Sequence, residues 1–178
     1  MDNSFLIIAV SRPDFFKGES EMINEILVNK RAQFIHLRKP NSNIREMENL
    51  IRNIDQRYYD KIKLHDHFDL VEKFKLGGIH LNSRNPLKNC DKYSCSISLH
   101  SLNEVKDAID FDYFFISPVF DSISKKGYKA AFDYVELSNQ IKGKKAVALG
   151  GVSPDKIPFL KSLGFHGGAM LSYFFPSH

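Results

Sequence analysis

Ala146-Val147-Ala148-Leu149-Gly150-Gly151-Val152-Ser153-Pro154 is the stretch of sequence that decides the fold. A short apolar run ends in two glycines and a Ser-Pro helix start, which predicts a buried strand, a tight turn and the first turn of a helix. Glycine lets the backbone approach a ligand closely, and a helix N-terminus offers N–H groups to an anion. A second pair, Gly167-Gly168, follows one helix length later. Two neighbouring sites of this kind near the C-terminus indicate a β/α barrel, whose phosphate pocket follows its seventh and eighth strands.

Eight apolar runs along the chain support this interpretation. Most are continuous rather than alternating, as is typical of parallel strands that are buried on both faces. The runs span residues 5–10, 33–37, 62–64, 78–81, 94–97, 113–116, 146–149 and 167–171. Eight strands favour a closed barrel over a doubly wound sheet.

Helical patterns lie between most of these runs. They cover residues 21–30, 44–58, 66–74, 132–141 and 154–163, and a further helix begins at the capping box Ser101-Leu102-Asn103-Glu104. Residues 82–93 are too few for a helix with its loops, and no helical pattern follows the last strand. We therefore expect one α/β domain over residues 1–178, a short TIM (β/α)8 barrel that lacks the eighth helix and the fourth. The apolar end Tyr173-Phe174-Phe175 motivates the hypothesis that a second subunit covers the open flank, as a homodimer.

Composition narrows the classes of function. The chain has 178 residues, 43% of them hydrophobic, which suffices for one domain with a core. Its formal charge of +4 comes without blocks of like charge, which disfavours nucleic acid and favours small anionic ligands. Cys90 and Cys95 lack the spacing of a zinc site or a disulfide framework, so we interpret them as reduced residues of a cytoplasmic protein. Neither a membrane span nor a signal peptide is predicted.

The candidate site residues come at the ends of the strands, which in a barrel converge on one mouth. Cations, hydroxyls and glycines dominate the set, and this mixture suits a phosphorylated small molecule. A solvated loop at residues 122–129 and a mere tight turn at the glycines remain open alternatives. The candidates are His36, Arg38, Asp66, Ser98, His100, Ser122, Ser124, Lys125, Gly150, Gly151, Gly168 and Ser172.

Several of these side chains also fit ordinary structural roles. His36 fits a core histidine as well as a ligand contact, and Arg38 fits a salt bridge. Asp66 fits the cap of the following helix or a weak metal site. His100 is suited to acid–base chemistry near neutral pH, or is a histidine of a surface turn. His80 is expected to pack inside the barrel.

The order of the motifs resembles the thiamine-phosphate synthase and TenI-type superfamily, whose fold is a β/α barrel. The matching segments follow the family order and cover most of the chain. They are residues 34–38, 64–70, 77–81, 96–101, 112–120, 122–127, 147–152 and 164–172. The resemblance implies one of two reactions. The synthase branch uses Mg²⁺ to couple an aminopyrimidine diphosphate to a thiazole phosphate with loss of pyrophosphate, whereas the TenI-type branch uses a histidine to move a proton and aromatise a thiazole carboxylate phosphate.

The resemblance to the synthase is incomplete on the diphosphate side. Where the synthase pattern reads Gln-x-Arg-x-Lys, this chain has His36, Arg38 and Pro40, so the Gln and the Lys are absent. Its Asn-Asp corresponds to His65-Asp66, and the uncharged Asn85 stands nearest to the second expected carboxylate. A diphosphate with its metal needs several compensating charges, so these losses should weaken that half of the site.

The thiazole-phosphate side is retained. The family's Thr-x-Thr-Lys loop becomes Ser122-Ile123-Ser124-Lys125, and the glycine sites of the last two strands are kept. Ser98 matches the pyrophosphate-side serine, while Leu99-His100-Ser101 looks more like the TenI-type branch, with His100 at the position of its catalytic histidine. Lys39 stands where acidic residues are usual in that branch.

We therefore expect a cytoplasmic enzyme of thiamine biosynthesis that carries out a TenI-like proton transfer. The resemblance implies that the phosphate binds at Gly150-Gly151, Gly168 and the loop at residues 122–125, that His100 moves the proton, and that Arg38 helps to hold the carboxylate. The alternatives are an active synthase that uses Asp66 with Mg²⁺, and an inactive barrel that binds phosphates or regulates a partner. No cofactor is expected beyond Mg²⁺ in the synthase alternative, and the expected partner is thiazole phosphate rather than nucleic acid or a membrane.

Overall fold

Eight parallel strands close into a barrel in chain order, with the last strand paired to the first. The computed structural model describes residues 5–85, 92–106, 108, 110–120 and 132–176. The strands are β1 Leu6–Val10, β2 Phe34–Leu37, β3 Ile62–Leu64, β4 Gly78–Leu81, β5 Cys95–Leu99, β6 Tyr113–Ile116, β7 Ala146–Ala148 and β8 Gly167–Met170. The predicted TIM-type α/β barrel is confirmed, and β5 runs two residues further than the sequence indicated.

The helices lie between strands. They are α1 Glu19–Val28, α2 Ile44–Arg52, α3 Asp69–Phe74, α4 Leu102–Val105, α5 Tyr134–Ile141 and α6 Ile157–Ser162, with 3₁₀ helices at Gln56–Lys61 and Pro154–Lys156. No helix follows β8 as far as residue 176, and residues 82–85 and 92–94, the described part of the connection before β5, contain none. No helix in the described parts of the chain is long and apolar enough to cross a bilayer.

The end of α2 differs from the sequence prediction. The apolar periodicity predicted one helix over residues 44–58, but α2 ends at Arg52 and Asn53 caps it. The carboxylate of Asp55 accepts a hydrogen bond from the backbone N–H of Arg57 at 3.0 Å and starts the 3₁₀ helix. Asn and Asp side chains bond to nearby backbone groups and so favour caps and turns over helix interiors, which explains the break.

The apolar C-terminal end packs on its own chain. Phe174 and Phe175 are buried, and the ring of Phe175 meets that of Phe16 edge to face at 6.4 Å between centroids. The guanidinium of Arg31 lies 5.7 Å from the centre of the Phe174 ring. The residues that motivated the homodimer hypothesis therefore already have partners within one chain, and the homodimer itself stays a prediction.

Two kinds of side chain fill the barrel interior. The side from β2 to the start of β6, called the polar half below, contributes polar groups. The side from the end of β6 through β8 to β1, the apolar half, contributes hydrocarbon. The polar half comprises His36, Lys63, His80, Ser96 and Tyr113, and the apolar half comprises Ile8, Val10, Phe115, Val147 and Ala169. Phe115 joins the two halves, since its ring lies 4.9 Å from that of His36 and 4.5 Å from that of His80.

Candidate active site at the barrel mouth

The glycine turn after β7 forms one wall of the mouth. Gly150 and Gly151 have φ values of +89° and +64°, a region that favours glycine. A Cβ on Gly150 would lie 2.9 Å from the Cα of Pro118, so the turn also needs glycine for space. Its backbone binds the segment after β6, because the N–H of Phe120 donates to the carbonyl of Gly150 at 3.1 Å. Within the described residues the N–H groups of Gly151 and Val152 meet no acceptor.

Gly168 supports this turn from behind. It is the second residue of β8, where it pairs with Ala148, and it is buried. A Cβ at this position would lie 3.2 Å from the Cγ1 of Val152, so glycine here lets the turn approach β8. Gly168 thus packs against the turn, and its predicted role in phosphate binding stays a prediction. Ser172, by contrast, is exposed just beyond β8.

His100 stands at the mouth between β5 and α4, and its ring is oriented by the backbone. Its Nδ1 lies 3.3 Å from the carbonyl oxygen of Ser117, and a carbonyl can only accept, so Nδ1 carries the proton of the neutral ring. The lone pair of neutral His100 is therefore on Nε2. The carboxylate of Glu104 accepts hydrogen bonds from the N–H groups of His100 at 2.6 Å and of Ser101 at 3.0 Å. This fixes the start of α4, as the capping-box motif predicted.

Arg38 and Asp66 lie on the opposite side of the mouth, where the polar groups are crowded. Asp66 receives hydrogen bonds from the side-chain amide of Asn85 at 2.5 Å and from the guanidinium of Arg84 at 3.3 Å. One sequence interpretation made Asp66 the cap of α3. That interpretation is wrong, because the helix begins at Asp69 and its N-cap residue is Phe68. Burial, and then the nearby Arg84 cation, lower the pKa of Arg38. The Asp66 carboxylate opposes this shift, and no hydrogen bond from the Arg38 guanidinium to another side chain is seen among the described residues.

Two predicted site residues point into the barrel. His36 is fully buried, with Nδ1 at 3.0 Å from His65 Nε2 and Nε2 at 2.7 Å from the Tyr113 hydroxyl. The neighbouring strands enclose His36, and its predicted role in ligand binding stays a prediction. Ser98 lies inside β5 rather than after it, and its hydroxyl is 2.8 Å from His80 Nε2. Ser122, Ser124 and Lys125 lie outside the described residues, so their assignment stays a prediction.

Comparisons with known proteins agree with this geometry. The family model described as thiamine monophosphate synthase matches residues 6–174. The chain belongs to that family. A thiamine phosphate pyrophosphorylase from Bacteroides thetaiotaomicron is 34% identical, with a TM-score of 0.82 over 94% of this chain and 83% of that one.

Other solved structures share the fold at lower identity. A thiamine phosphate pyrophosphorylase from Pyrococcus furiosus is 22% identical, with a TM-score of 0.78 over 99% of this chain and 90% of that one. A mutant tryptophan synthase α-subunit, also from Pyrococcus furiosus, is 14% identical, with a TM-score of 0.60 over 94% and 87%. A comparison with curated protein sequences gives no match.

Mg²⁺, which the thiamine monophosphate synthase family implies, does not fit the described residues at this mouth. A Mg²⁺ site is built from carboxylates together with substrate phosphates. Here Asp66 is the one carboxylate at the predicted position, and its oxygens already bind Arg84 and Asn85. Arg84 adds a positive charge where a dication would bind. This half of the mouth therefore suits an anionic group better than a metal–diphosphate pair.

Sequence reasoning missed a buried ion pair next to the mouth. The Lys39 ammonium donates to both carboxylate oxygens of Glu19, at 2.6 and 2.8 Å, and to the carbonyl of Asp14 at 2.9 Å. Burial lowers the pKa of Lys39, and its bond to Glu19 opposes that shift. Lys39, which departs from the acidic residue usual in the TenI-type branch, thus fixes the segment before α1. Its position directly after Arg38 gave no sign of this partner.

Proposed function

We propose that this protein binds a thiazole phosphate at the barrel mouth and catalyses a TenI-like proton transfer on it. The proposed substrate class is supported by the family, by the glycine turn and by the cations Arg38 and Arg84 at the mouth. The reaction moves one proton between two atoms of the same ring system and shifts its double bonds, so no group leaves and no metal is required. It therefore matches a mouth that retains its anion-binding groups while its carboxylate is engaged by Arg84.

The observation that carries the proposal is the orientation of His100. Its Nδ1–H donates to the Ser117 carbonyl, so its basic Nε2 is the nitrogen left to meet a substrate. Imidazole accepts and returns protons near neutral pH, and general acid–base catalysis of this kind contributes about 10²–10⁴-fold in rate. His100 would remove the proton from one ring atom and return it at another.

Two further groups of the protein would bind the substrate and position its ring next to His100. The phosphate would bind the N–H groups of Gly151 and Val152, which have no described acceptor. The guanidinium of Arg38 would pair with the substrate carboxylate, because its planar fork matches a carboxylate in two hydrogen bonds. The predicted residues Ser122, Ser124, Lys125 and Ser172 would complete the phosphate contacts.

The test is a tautomerase assay on His100→Ala with a matched control. We expect kcat to fall about 10²–10⁴-fold while KM stays nearly constant, since His100 acts on the proton rather than on binding. His166→Ala is the control, because His166 precedes β8 at the opposite end of the barrel. Equal turnover of His100→Ala and the wild type would remove His100 from the mechanism. Binding of thiazole phosphate without any turnover would instead favour the inactive barrel.

An active synthase is the second candidate. It is favoured by the 34% identical structure, which is described as a thiamine phosphate pyrophosphorylase. Wild-type protein would be incubated with thiazole phosphate, aminopyrimidine diphosphate and Mg²⁺, and thiamine phosphate measured. We expect little product, because Asp66 is bound to Arg84 and Asn85. Product formation that Asp66→Asn abolishes would establish the synthase and overturn the tautomerase proposal.

A further inference from the structure

Three histidines converge in the barrel interior, below the mouth. His36 comes from β2, His65 follows β3 and His80 comes from β4. One ring nitrogen of each lies within 4.8 Å of the other two, and all three side chains are at least nine-tenths buried. This group, called the histidine cluster below, is used neither by the proposed proton transfer nor by the phosphate site.

Neighbouring hydroxyls fix the orientation of two of the rings. The Tyr113 hydroxyl lies 2.7 Å from His36 Nε2, and the Ser96 hydroxyl lies 2.8 Å from His80 Nδ1. When each of these nitrogens donates to its hydroxyl, the lone pairs fall on His36 Nδ1 and His80 Nε2. His36 Nδ1 then accepts from His65 Nε2 at 3.0 Å and His80 Nε2 accepts from the Ser98 hydroxyl at 2.8 Å, and an ion would replace both bonds. Metal-binding histidines are held in this way, with the second nitrogen fixed by a hydrogen bond outside the metal shell.

The cations around the histidine cluster are paired with carboxylates, which reduces their repulsion of a metal ion. All three imidazoles are buried within the barrel, and neutral imidazole is the form that binds metals. The buried ammonium of Lys63, which acts on His36 and His80, is paired with Asp112 at 3.3 Å. Arg84, on the side of the mouth, is paired with Asp66. Arg38 also acts on His65, and its charge is opposed by the same Asp66 carboxylate. The three cations are thus partly compensated by carboxylates.

We propose that His36, His65 and His80 bind one divalent transition-metal ion, with Zn²⁺ as the first candidate. Three imidazole nitrogens are a donor set that suits Zn²⁺, Cu²⁺ or Ni²⁺ and disfavours Mg²⁺, which prefers oxygen. The fourth position would fall beside Ser98, whose hydroxyl is 2.8 Å from His80 Nε2 and which is part-exposed toward the mouth. Three histidines with a fourth, exchangeable position form a well-attested zinc geometry.

Metal binding requires one ring of the histidine cluster to turn. The rings of His65 and His80 are stacked at 4.2 Å with an interplanar angle of 24°, so both cannot direct a nitrogen at one ion in this arrangement. His65 follows the end of β3 and borders the mouth, whereas His36 and His80 lie within strands and are held by hydroxyls. His65 is therefore the ring that would turn, on the side from which the ion would enter.

The test uses full-length protein purified without a polyhistidine tag, stripped with a chelator and titrated with Co²⁺ and then Zn²⁺. We expect one equivalent per chain, a visible absorption typical of tetrahedral Co²⁺, and its loss on addition of Zn²⁺. His36→Gln and His80→Gln should each weaken binding at least about 100-fold, because each removes one ligand. His166→Gln, the same change far from the histidine cluster, should bind as the wild type does. Less than about 0.1 equivalent on the wild type, or equal binding by His36→Gln and His166→Gln, would overturn the proposal.

A measurement on the wild type keeps the test decisive should a cluster variant fail to fold. Imidazole ¹⁵N resonances are recorded with and without one equivalent of Zn²⁺. We expect the ring nitrogens of His36, His65 and His80 to shift, those of His65 the most. Shifts confined to His67, His100 or His166 would place the ion elsewhere and contradict the site. The readout does not depend on turnover, so it is independent of the proposed function.

Discussion

The two halves of the barrel interior are equally buried but are stabilised in different ways. The apolar half needs only complementary shape, since Ile8, Val147 and Ala169 contribute hydrocarbon alone. The polar half needs specific partners, because a buried polar atom without a hydrogen bond costs free energy. Its partners come from distant strands, as with His36 and Tyr113, which lie 77 positions apart. In the described residues every buried polar side-chain atom has a partner. The polar half therefore requires particular side chains at particular positions, whereas the barrel fold alone requires only buried apolar strands.

Acidification should have the largest effect on the free energy of unfolding, because the polar half of the interior contains titratable groups and the apolar half does not. The unfolded imidazole has a pKa of about 6.5, whereas burial lowers the pKa of His36, His65 and His80 in the folded state. Below pH 6.5 the unfolded chain binds protons that the folded chain excludes, so the free energy of unfolding decreases as the pH falls. The ceiling is about 4 kcal/mol per pH unit for three imidazoles. Denaturant unfolding between pH 7.5 and 5.5, with a chelator present, measures the slope.

The matched control for this slope is His36→Gln. Removing one of the three buried imidazoles should reduce the slope by up to about a third, with the change confined to the range below pH 6.5. A wild-type stability that stays constant from pH 7.5 to 5.5 would contradict the assignment of three neutral, buried rings.

A cavity in the apolar half should have a smaller effect without pH dependence. Ile8→Ala removes fully buried hydrocarbon and should lower the free energy of unfolding by about 2–5 kcal/mol. The loss should be the same at pH 7.5 and pH 5.5, because the side chain does not titrate. Ile8→Val is the graded control, with an expected loss of about 0.5–1.5 kcal/mol. A loss that varied with pH would show that the two halves are coupled.

Removal of a single hydroxyl from the polar half should have the smallest effect. Tyr113→Phe keeps the ring, which lies 6.0 Å from that of Phe115, but removes the partner of His36 Nε2. Leaving that nitrogen unsatisfied should cost about 1–3 kcal/mol in thermal or denaturant unfolding. Tyr173→Phe serves as the control at an exposed tyrosine and should be close to neutral. Equal stabilities of the two variants would mean that the buried hydroxyl contributes nothing.

The strands were predictable because their signal is local. A continuous apolar run bounded by polar residues marks a strand buried on both faces, and eight such runs predicted the barrel with boundaries within about two residues. The end of α2 was less predictable, since the apolar period continues to residue 58 while Asn53 and Asp55 interrupt the helix. The glycine turn was also predictable, because positive φ at Gly150 and Gly151 favours glycine.

Depth along the barrel axis was not predictable. Ile35-His36-Leu37 and Ile79-His80-Leu81 have the same local pattern, yet the sequence assigned His36 to the ligand site and His80 to the interior. Alternation along a strand tells which face a residue occupies, but its depth depends on the tilt and stagger of the strands. For the same reason the approach of Arg84 to Asp66 could not be seen from either segment alone.

The sequence by itself determined the eight strands, the glycine turn and the family. Hydrophobic continuity, backbone dihedral preference and motif order are local properties, which each segment of the chain carries on its own. Only the tertiary structure decided which polar groups share the interior. It brought His36, His65 and His80 together, enclosed Lys39 with Glu19, and fixed the proton of His100 on Nδ1. These pairings depend on the register between strands and on loops that meet across the barrel, which no single segment of the sequence encodes.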